Sequence, residues 1–223
     1  MLHFLFGHQL AVRSALARGM FRDRATQFHD RQGWAVTVDA RGEERDAYDC
    51  EDPLYVIWAG PDGRHGGSMR LLPTLGRTML NDHFAHLAGG RVADPGIWEC
   101  TRFCLAPGAD GRVAAALMLG GGAVMRGFGL RHLAGVFDAP MVRIYRAIGA
   151  SPEILGSHGE GRARVSAGLW SLTEAAQARV ARRSGLPVAQ VQEWFEAAMG
   201  APPVAAAPVI PVATPPAGVF GEQ

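Results

Sequence analysis

The stretch Ile97-Trp-Glu-Cys-Thr-Arg-Phe-Cys-Leu-Ala106 decides the fold, together with what flanks it. Trp98, Phe103 and Leu105 make residues 97–106 an apolar, strand-length run. Residues 112–130 then read as a helix despite Gly120-Gly-Gly122, and 132–137 as the next strand. Further on, residues 140–148 form a helix ended by Gly149, with short strands near 153–156 and 163–170. Ser171-Leu-Thr-Glu174 has the capping-box pattern and opens a helix that stops at Gly185; a last helix covers 188–199. Upstream, residues 54–59 and 65–72 form a hairpin about Pro61-Asp62-Gly63. Residues 74–87 read as loop, then short helix. His8 to Gln32 has helical character, Gly33 to Asp39 reads as a strand, and 40–53 is charged and turn-like. Strands alternating irregularly with helices predict an α/β protein, a three-layer α/β/α sandwich with a mixed central sheet.

The chain has 223 residues, so residues 1–200 suit one domain with a full core. Residues 201–223 hold six of the 14 prolines and one charge, Glu222, and read as a flexible Pro/Ala-rich tail without a catalytic role. All 22 basic residues are arginines, which excludes Schiff-base and P-loop lysine chemistry. A net charge of +1 argues against a generic nucleic-acid binder. No apolar run approaches the roughly 20 residues that span a bilayer, so no membrane insertion is expected. The apolar start, Met1 to Gly7, is too short for a signal peptide. Cys50, Cys100 and Cys104 read as reduced thiols, which predicts a cytoplasmic protein.

Charges inside apolar runs carry the chemistry. Arg70 interrupts Gly-Ser-Met-Arg-Leu-Leu-Pro, and Glu99 and Arg102 interrupt the decisive strand. Ionised groups on a buried strand are costly unless paired. The acidic cluster Glu43, Glu44, Asp46, Asp49, Glu51 and Asp52 supplies partners, and Arg70 or Arg102 with Asp46 or Asp49 is the expected network. Strand alternation puts Trp98, Cys100, Arg102 and Cys104 on one face, and Glu99, Thr101 and Phe103 on the other. On that reading Cys100 and Cys104 are small core residues, two pleats apart and unable to pair. His83-Phe-Ala-His86 has metal-like spacing but no third ligand, so no metal is expected. Gly120 to Gly122 reads as a helix kink or a close-packing site.

Arg24-x-x-x-Phe28-x-x-x-x-x-Trp34, Glu44-x-Asp46-x-x-Asp49, Ser68-x-Arg70-Leu-Leu-Pro-Thr74, Phe84 and Glu99-x-x-Arg102-Phe103 occur in this order. The ordered set resembles the acyl-homoserine-lactone synthases, the autoinducer synthases of bacterial quorum sensing. The likeness is close over residues 20–105 and continues more loosely through Met141-Val-Arg-Ile-Tyr-Arg-Ala-Ile-Gly149. It implies a fold like the GCN5-related N-acetyltransferases. It also implies a two-substrate acyltransferase without a cofactor. S-adenosylmethionine would be the substrate that supplies the homoserine part, and an acyl carrier protein or acyl-CoA would supply the acyl thioester.

By this resemblance Arg24, Phe28, Trp34, Phe84 and Phe103 bind S-adenosylmethionine, with Arg24 at its carboxylate. Asp46, Asp49, Arg70 and Arg102 shape the charged site. Glu99 is the candidate base for the attacking amine, directly or through one water. Backbone N–H groups from Phe103 to Leu105 would meet the thioester oxyanion, by fold analogy alone. Gly135 and Met141 belong to the acyl pocket. The family's threonine for 3-oxo chains matches Gly135, which has no hydroxyl, so unsubstituted or 3-hydroxy chains are expected, with room for medium or long ones. Arg143 and Arg146 share a helix face and would dock the acidic carrier protein, with Arg126 and Arg131 nearby in sequence. A CoA-dependent N-acyltransferase acting on another amine is the competing reading. Gly120 to Gly122 lacks the preceding Gln/Arg-x-x-Gly-x-Gly/Ala loop that cradles pyrophosphate in such enzymes. A non-catalytic relative that only binds acyl chains or a protein partner is the third, opposed by the intact charged positions.

Overall fold

The computed structural model describes residues 1–200, so the Pro/Ala-rich tail lies outside the described residues. Seven strands form one sheet in the order β1-β2-β3-β4-β5-β7-β6. They are β1 (Leu2–Phe6), β2 (Leu54–Ala59), β3 (His65–Pro73), β4 (Ile97–Leu105), β5 (His132–Asp138), β6 (Glu153–His158) and β7 (Val165–Ser171). Every pairing is antiparallel except β4 with β5, so the sheet is mixed as expected. Helices α1 (Ser14–Arg24) and α2 (Met79–His83) precede β4. They are followed by α3 (Gly111–Gly127), α4 (Ala139–Ile148), α5 (Glu174–Ser184) and α6 (Val188–Met199).

The two sheet faces bury different cores. Leu2, Phe4, Val56, Met69 and Leu71 point toward α3 and α6, where Leu117, Val124 and Phe195 complete the main cluster. Tyr55, Ile57 and Ala59 point the other way, onto Leu16, Met20 and Phe21 of α1. Strand alternation along β2 produces this division. No helix among the described residues is long and apolar enough to cross a membrane.

The parallel β4–β5 ladder is short: Ile97 to Glu99 pair with His132 to Ala134, and no further pair follows. Beyond it the two strands open, and the sheet has a cleft at its centre. α3 follows β4 and lies across that opening. Its interior glycines each cost about 1 kcal/mol relative to alanine. Gly120 among them, and Gly127 at the helix end, answer to packing. A Cβ on Gly120 would lie 2.6 Å from Val56 Cγ1, and one on Gly127 would lie 2.0 Å from Phe195 Cε1.

Several sequence expectations need correction. The N-terminus forms edge strand β1, paired along its length with β2. The helical stretch after it is broken into a 3-10 turn at Gly7–Arg13, α1, and a π-helical turn at Ala25–Arg31. Residues 33–39 are not a strand; one isolated bridge, Val38 to Glu44, is all that forms there. The N-cap of α5 is Thr173, whose side chain accepts from the Ala176 N–H, while Ser171 ends β7. The alternation along β4 fails at Arg102. Ser68 pairs Cys104 and Arg70 pairs Thr101, so two steps on β3 face three on β4. Arg102 takes φ +51°, the left-handed conformation of a bulge. The bulge turns Arg102 to the face of Glu99 and Thr101. It also puts Cys100, against Met69, and Cys104 on opposite faces. Burial pushes both thiols up to about 12; Cys104 is a buried core residue as expected, whereas Cys100 is only half-buried.

Candidate active site

Three arginines and three carboxylates form a closed ring on the α1 face of the sheet. Arg24 donates from Nε to Glu44 (2.6 Å) and from both Nη atoms to Asp49 (2.9 Å each). Arg70 donates to Asp49 (2.8 Å) and to both oxygens of Asp46. Arg102 closes the circle with Nη2 at 3.0 Å from Glu44 and 2.8 Å from Asp46. Each arginine bridges two acids and each acid bridges two arginines, so the charges cancel inside the fold. Local structure presets the acids. Asp46 caps the 3-10 turn Ala47–Cys50, and Asp49 reaches back to the Asp46 N–H. Hydrogen bonds and the Arg24 and Arg70 charges overcome burial and hold the Asp49 carboxyl well below the usual carboxylate range. Arg70 and Arg102 hold Asp46 down in the same way.

The ring guards one end of a cavity of about 160 Å³ that runs through the sheet opening. Its near mouth is lined by Gln27, Phe28, Gln32, Trp34, Arg102 and Phe103. The π-helical turn aims Phe28 inward, and Gly33 then turns the chain so that the Trp34 N–H reaches the Phe28 carbonyl at 2.8 Å. The rings stack with centroids 5.1 Å apart, and Trp34 remains 45% exposed. The Arg102 guanidinium lies 5.2 Å from the Phe28 centroid. Deeper in, the lining is apolar and rich in methionine: Met69, Met79, Met118, Met125 and Met141. Trp170, Phe137 and Tyr145 pack edge to face with one another along the β5–β7 wall.

Glu99 is fully buried and is held by the start of α2, where Met79 and Leu80 donate their backbone N–H groups to its two oxygens. Among the described residues, no arginine bonds it. Desolvation outweighs those bonds and pushes its carboxyl up to about 7. It does not line the cavity itself; Met79 and Thr101 do, so only action through a water is left for it as a base.

The structure thus brings Phe28, Trp34, Arg102, Phe103, Gly135 and Met141 to one cavity, with Asp46, Asp49 and Arg70 behind Arg102. Other expectations are not met. Arg24 is 1% exposed, and both edges of its guanidinium are taken by protein carboxylates. Phe84 packs beside the Leu80–Leu87 cluster rather than on the cavity. The room expected at Gly135 is filled: a Cβ there would lie 3.1 Å from both the Trp170 ring and the Cys100 carbonyl. Arg143 and Arg146 are exposed on α4, but Arg126 and Arg131 bond elsewhere, to Gln177 and Asp94. Sequence reasoning named Glu44 in the acidic cluster but gave it no partner, and it is the hinge between Arg24 and Arg102. That reasoning also gave no partner to Thr101, which accepts from Arg70 Nε at 3.0 Å. Trp170 reaches the cavity only through the β5–β7 pairing, which no local signal announces, and Tyr145 joins it from α4.

Residues 7–180 match the family model described as autoinducer synthase. An acyl-homoserine-lactone synthase of Rhizobium etli is 42% identical over 162 residues, which is 69% of this chain and 76% of that protein. The chain belongs to the autoinducer synthase family. It is an acyl-homoserine-lactone synthase, and so an acyltransferase. A solved CoA-dependent acyl-homoserine lactone synthase, bound to S-adenosylmethionine and isopentyl-CoA, shares the fold with a TM-score of 0.74 at 23% identity. That match covers 86% of this chain and 99% of the other. A protein described as an N-acetyltransferase of Lactobacillus plantarum has a TM-score of 0.51 at 16% identity, covering 77% and 99% of the two chains. The autoinducer synthase fold here is therefore α/β and N-acetyltransferase-like.

Proposed function

We propose that S-adenosylmethionine enters at the Phe28–Trp34 mouth, and that the acyl chain of a carrier-protein thioester fills the methionine-lined depth. The carrying observation is the free corner of the ion ring. Arg24 and Arg70 spend all their guanidinium nitrogens on protein partners. Arg102 is the ring arginine that lines the cavity, and its Nη1 has no hydrogen-bond partner among the described residues. Arg102, rather than Arg24, is then the cation for the substrate carboxylate. The neutral ring behind it fixes its direction. The Phe28–Trp34 pair offers aromatic faces to the sulfonium.

The chemistry runs in two steps. The substrate amine, relieved of a proton through a water on Glu99, attacks the thioester carbonyl. An amide forms and the thiolate leaves, taking up a proton. The substrate carboxylate then attacks its own γ-carbon. The carbon–sulfur bond breaks, its electrons neutralise the sulfonium, and methylthioadenosine leaves as the lactone closes. No cofactor or metal takes part, and the setting is the cytoplasm. Gly135 offers no hydroxyl for a 3-oxo group, and Trp170 fills the space beside it, so unsubstituted chains are preferred.

The N-terminus of α3 favours a carrier protein over CoA. Helix N-termini attract phosphate, but here the Asp110 side chain accepts from the Arg112 N–H and sets a carboxylate at that position. The test is purified enzyme with S-adenosylmethionine and matched acyl-carrier and acyl-CoA donors, plain and 3-oxo, with products read by mass spectrometry. Acyl-homoserine lactone and methylthioadenosine in equal amounts, fastest from plain acyl-carrier protein, is the expected result. Amide products on another amine would support the competing acyltransferase reading.

A further inference from the structure

Gly121 and Gly122 are not explained by the packing that requires Gly120 and Gly127. They are adjacent in the middle of a buried helix, where glycine is the least favourable residue after proline. A Cβ on Gly121 would lie 3.2 Å from Leu133 Cδ1 and from Met69 Cε. A Cβ on Gly122 would lie 3.2 Å from Leu172 Cδ1 and 3.3 Å from Gln177 Nε2. All four neighbours are ends of flexible side chains, and all four belong to cavity-lining residues. An added methyl is accommodated by a small shift of those tips, and the space beside them is the cavity itself. Gly120 differs, because its Cβ would press on the β-branched Val56 in the sheet core.

We propose that Gly121 and Gly122 set the depth of the acyl pocket and thereby the length of chain the enzyme prefers. The proposal rests on the acyl-homoserine-lactone synthase reading above and goes further, assigning chain length to two residues of α3. Leaving both positions without a side chain keeps the wall facing β5 and α5 open. The methionines around it then adapt to the chain that enters.

The experiment compares wild type with Gly121→Ala, Gly122→Ala and Gly122→Val on a ladder of acyl thioesters from butyryl to tetradecanoyl. Thermal melts of each variant are recorded alongside. The expected result is a preferred chain shorter by two or more carbons. The ratio of kcat/KM for long over short donors should fall roughly tenfold or more, with KM for S-adenosylmethionine unchanged. The alanine variants should melt no lower than wild type, because alanine favours helix, whereas Gly120→Ala should melt lower. An unchanged length profile in folded Gly122→Val overturns the proposal while the enzyme reading stands. A wild-type protein that makes no lactone from any donor overturns the reading itself, and this proposal with it.

Discussion

The two ends of the cavity are built on opposite principles. At the mouth, three arginines and three carboxylates hold one another through directional bonds, and each group has two partners of opposite charge. In the depth, methionines and glycines meet through contacts with no preferred direction, beside aromatic rings packed edge to face. The first arrangement has essentially one geometry, because moving any member strands a buried charge. The second can re-pack. That division suits a reaction in which one substrate is always the same charged molecule and the other varies along a chain. Removing a member of the ring is the sharpest way to break the contrast. Arg24→Ala leaves Glu44 and Asp49, both nearly inaccessible, short of a cation. The expected loss is about 3–5 kcal/mol of unfolding free energy, and Arg24→Lys should restore only part of it, because lysine cannot fork between two acids. Urea titration checks this. Met118→Leu in the depth should cost less than about 1.5 kcal/mol. A folded, fully stable Arg24→Ala would show that the ring is not the rigid element. The same ring predicts acid lability. The Asp46 and Asp49 carboxyls are held below their unfolded range, so their contribution is present above the unfolded values and fades as pH falls through the folded ones.

The same contrast explains what was legible in the sequence. Charges within apolar runs are conspicuous, because burial demands partners, so Arg70, Glu99 and Arg102 stood out and the acids at 46 and 49 followed. The layer order was legible for a similar reason, since strand and helix periodicities are local. Two kinds of feature were not. The Arg102 bulge inserts one residue into a ladder, and nothing in Cys-Thr-Arg-Phe-Cys marks where the pleat slips. The depth of the cavity is assembled from α3, β5, β7 and α5, and Trp170 meets Gly135 only after the last strands pair. Glycines at 120 to 122 look alike in sequence. Only their neighbours separate the one that packs from the two that line a void.

Glu99 stands at the seam of the two regions, and its effect should be the next largest. Its carboxyl is pushed up to about 7 by desolvation, although two backbone N–H groups favour the charged form. As a base it must be ionised, so the acylation rate should climb with pH through about 7 and level off above it. Glu99→Gln should lower the rate by about 100-fold or more and flatten that limb. Stability runs the other way. An acid whose folded value lies above its unfolded one binds more protons in the native state. Its ionisation therefore destabilises the fold as pH rises from about 4.5 to about 7. Glu99→Gln should remove that slope from a series of melts. A variant that loses stability yet keeps turnover per folded molecule would make Glu99 a cap for α2 and nothing more.

The smallest expected effect concerns the outer surface, where neither rigid ring nor soft depth operates. Arg143 and Arg146 are exposed one helical turn apart on α4, and neither makes a salt bridge among the described residues. Beside Arg143, a shallow groove is lined by Val142, Ile154 and Arg164. Val142 and Ile154 are large apolar residues left exposed, so charge and apolar area adjoin. A carrier protein with an acidic face suits that combination, and α4 also carries Met141 into the cavity, so docking there leads toward the acyl pocket. Surface charges act mainly on encounter and are screened by salt. Arg143→Glu should therefore raise KM for acyl-carrier protein by only about 3- to 10-fold, less at high ionic strength. KM for S-adenosylmethionine and turnover with acyl-CoA should not change. A rise in KM for both donors would trace the effect to α4 packing on the cavity instead, and no rise for either would move the docking surface off this face.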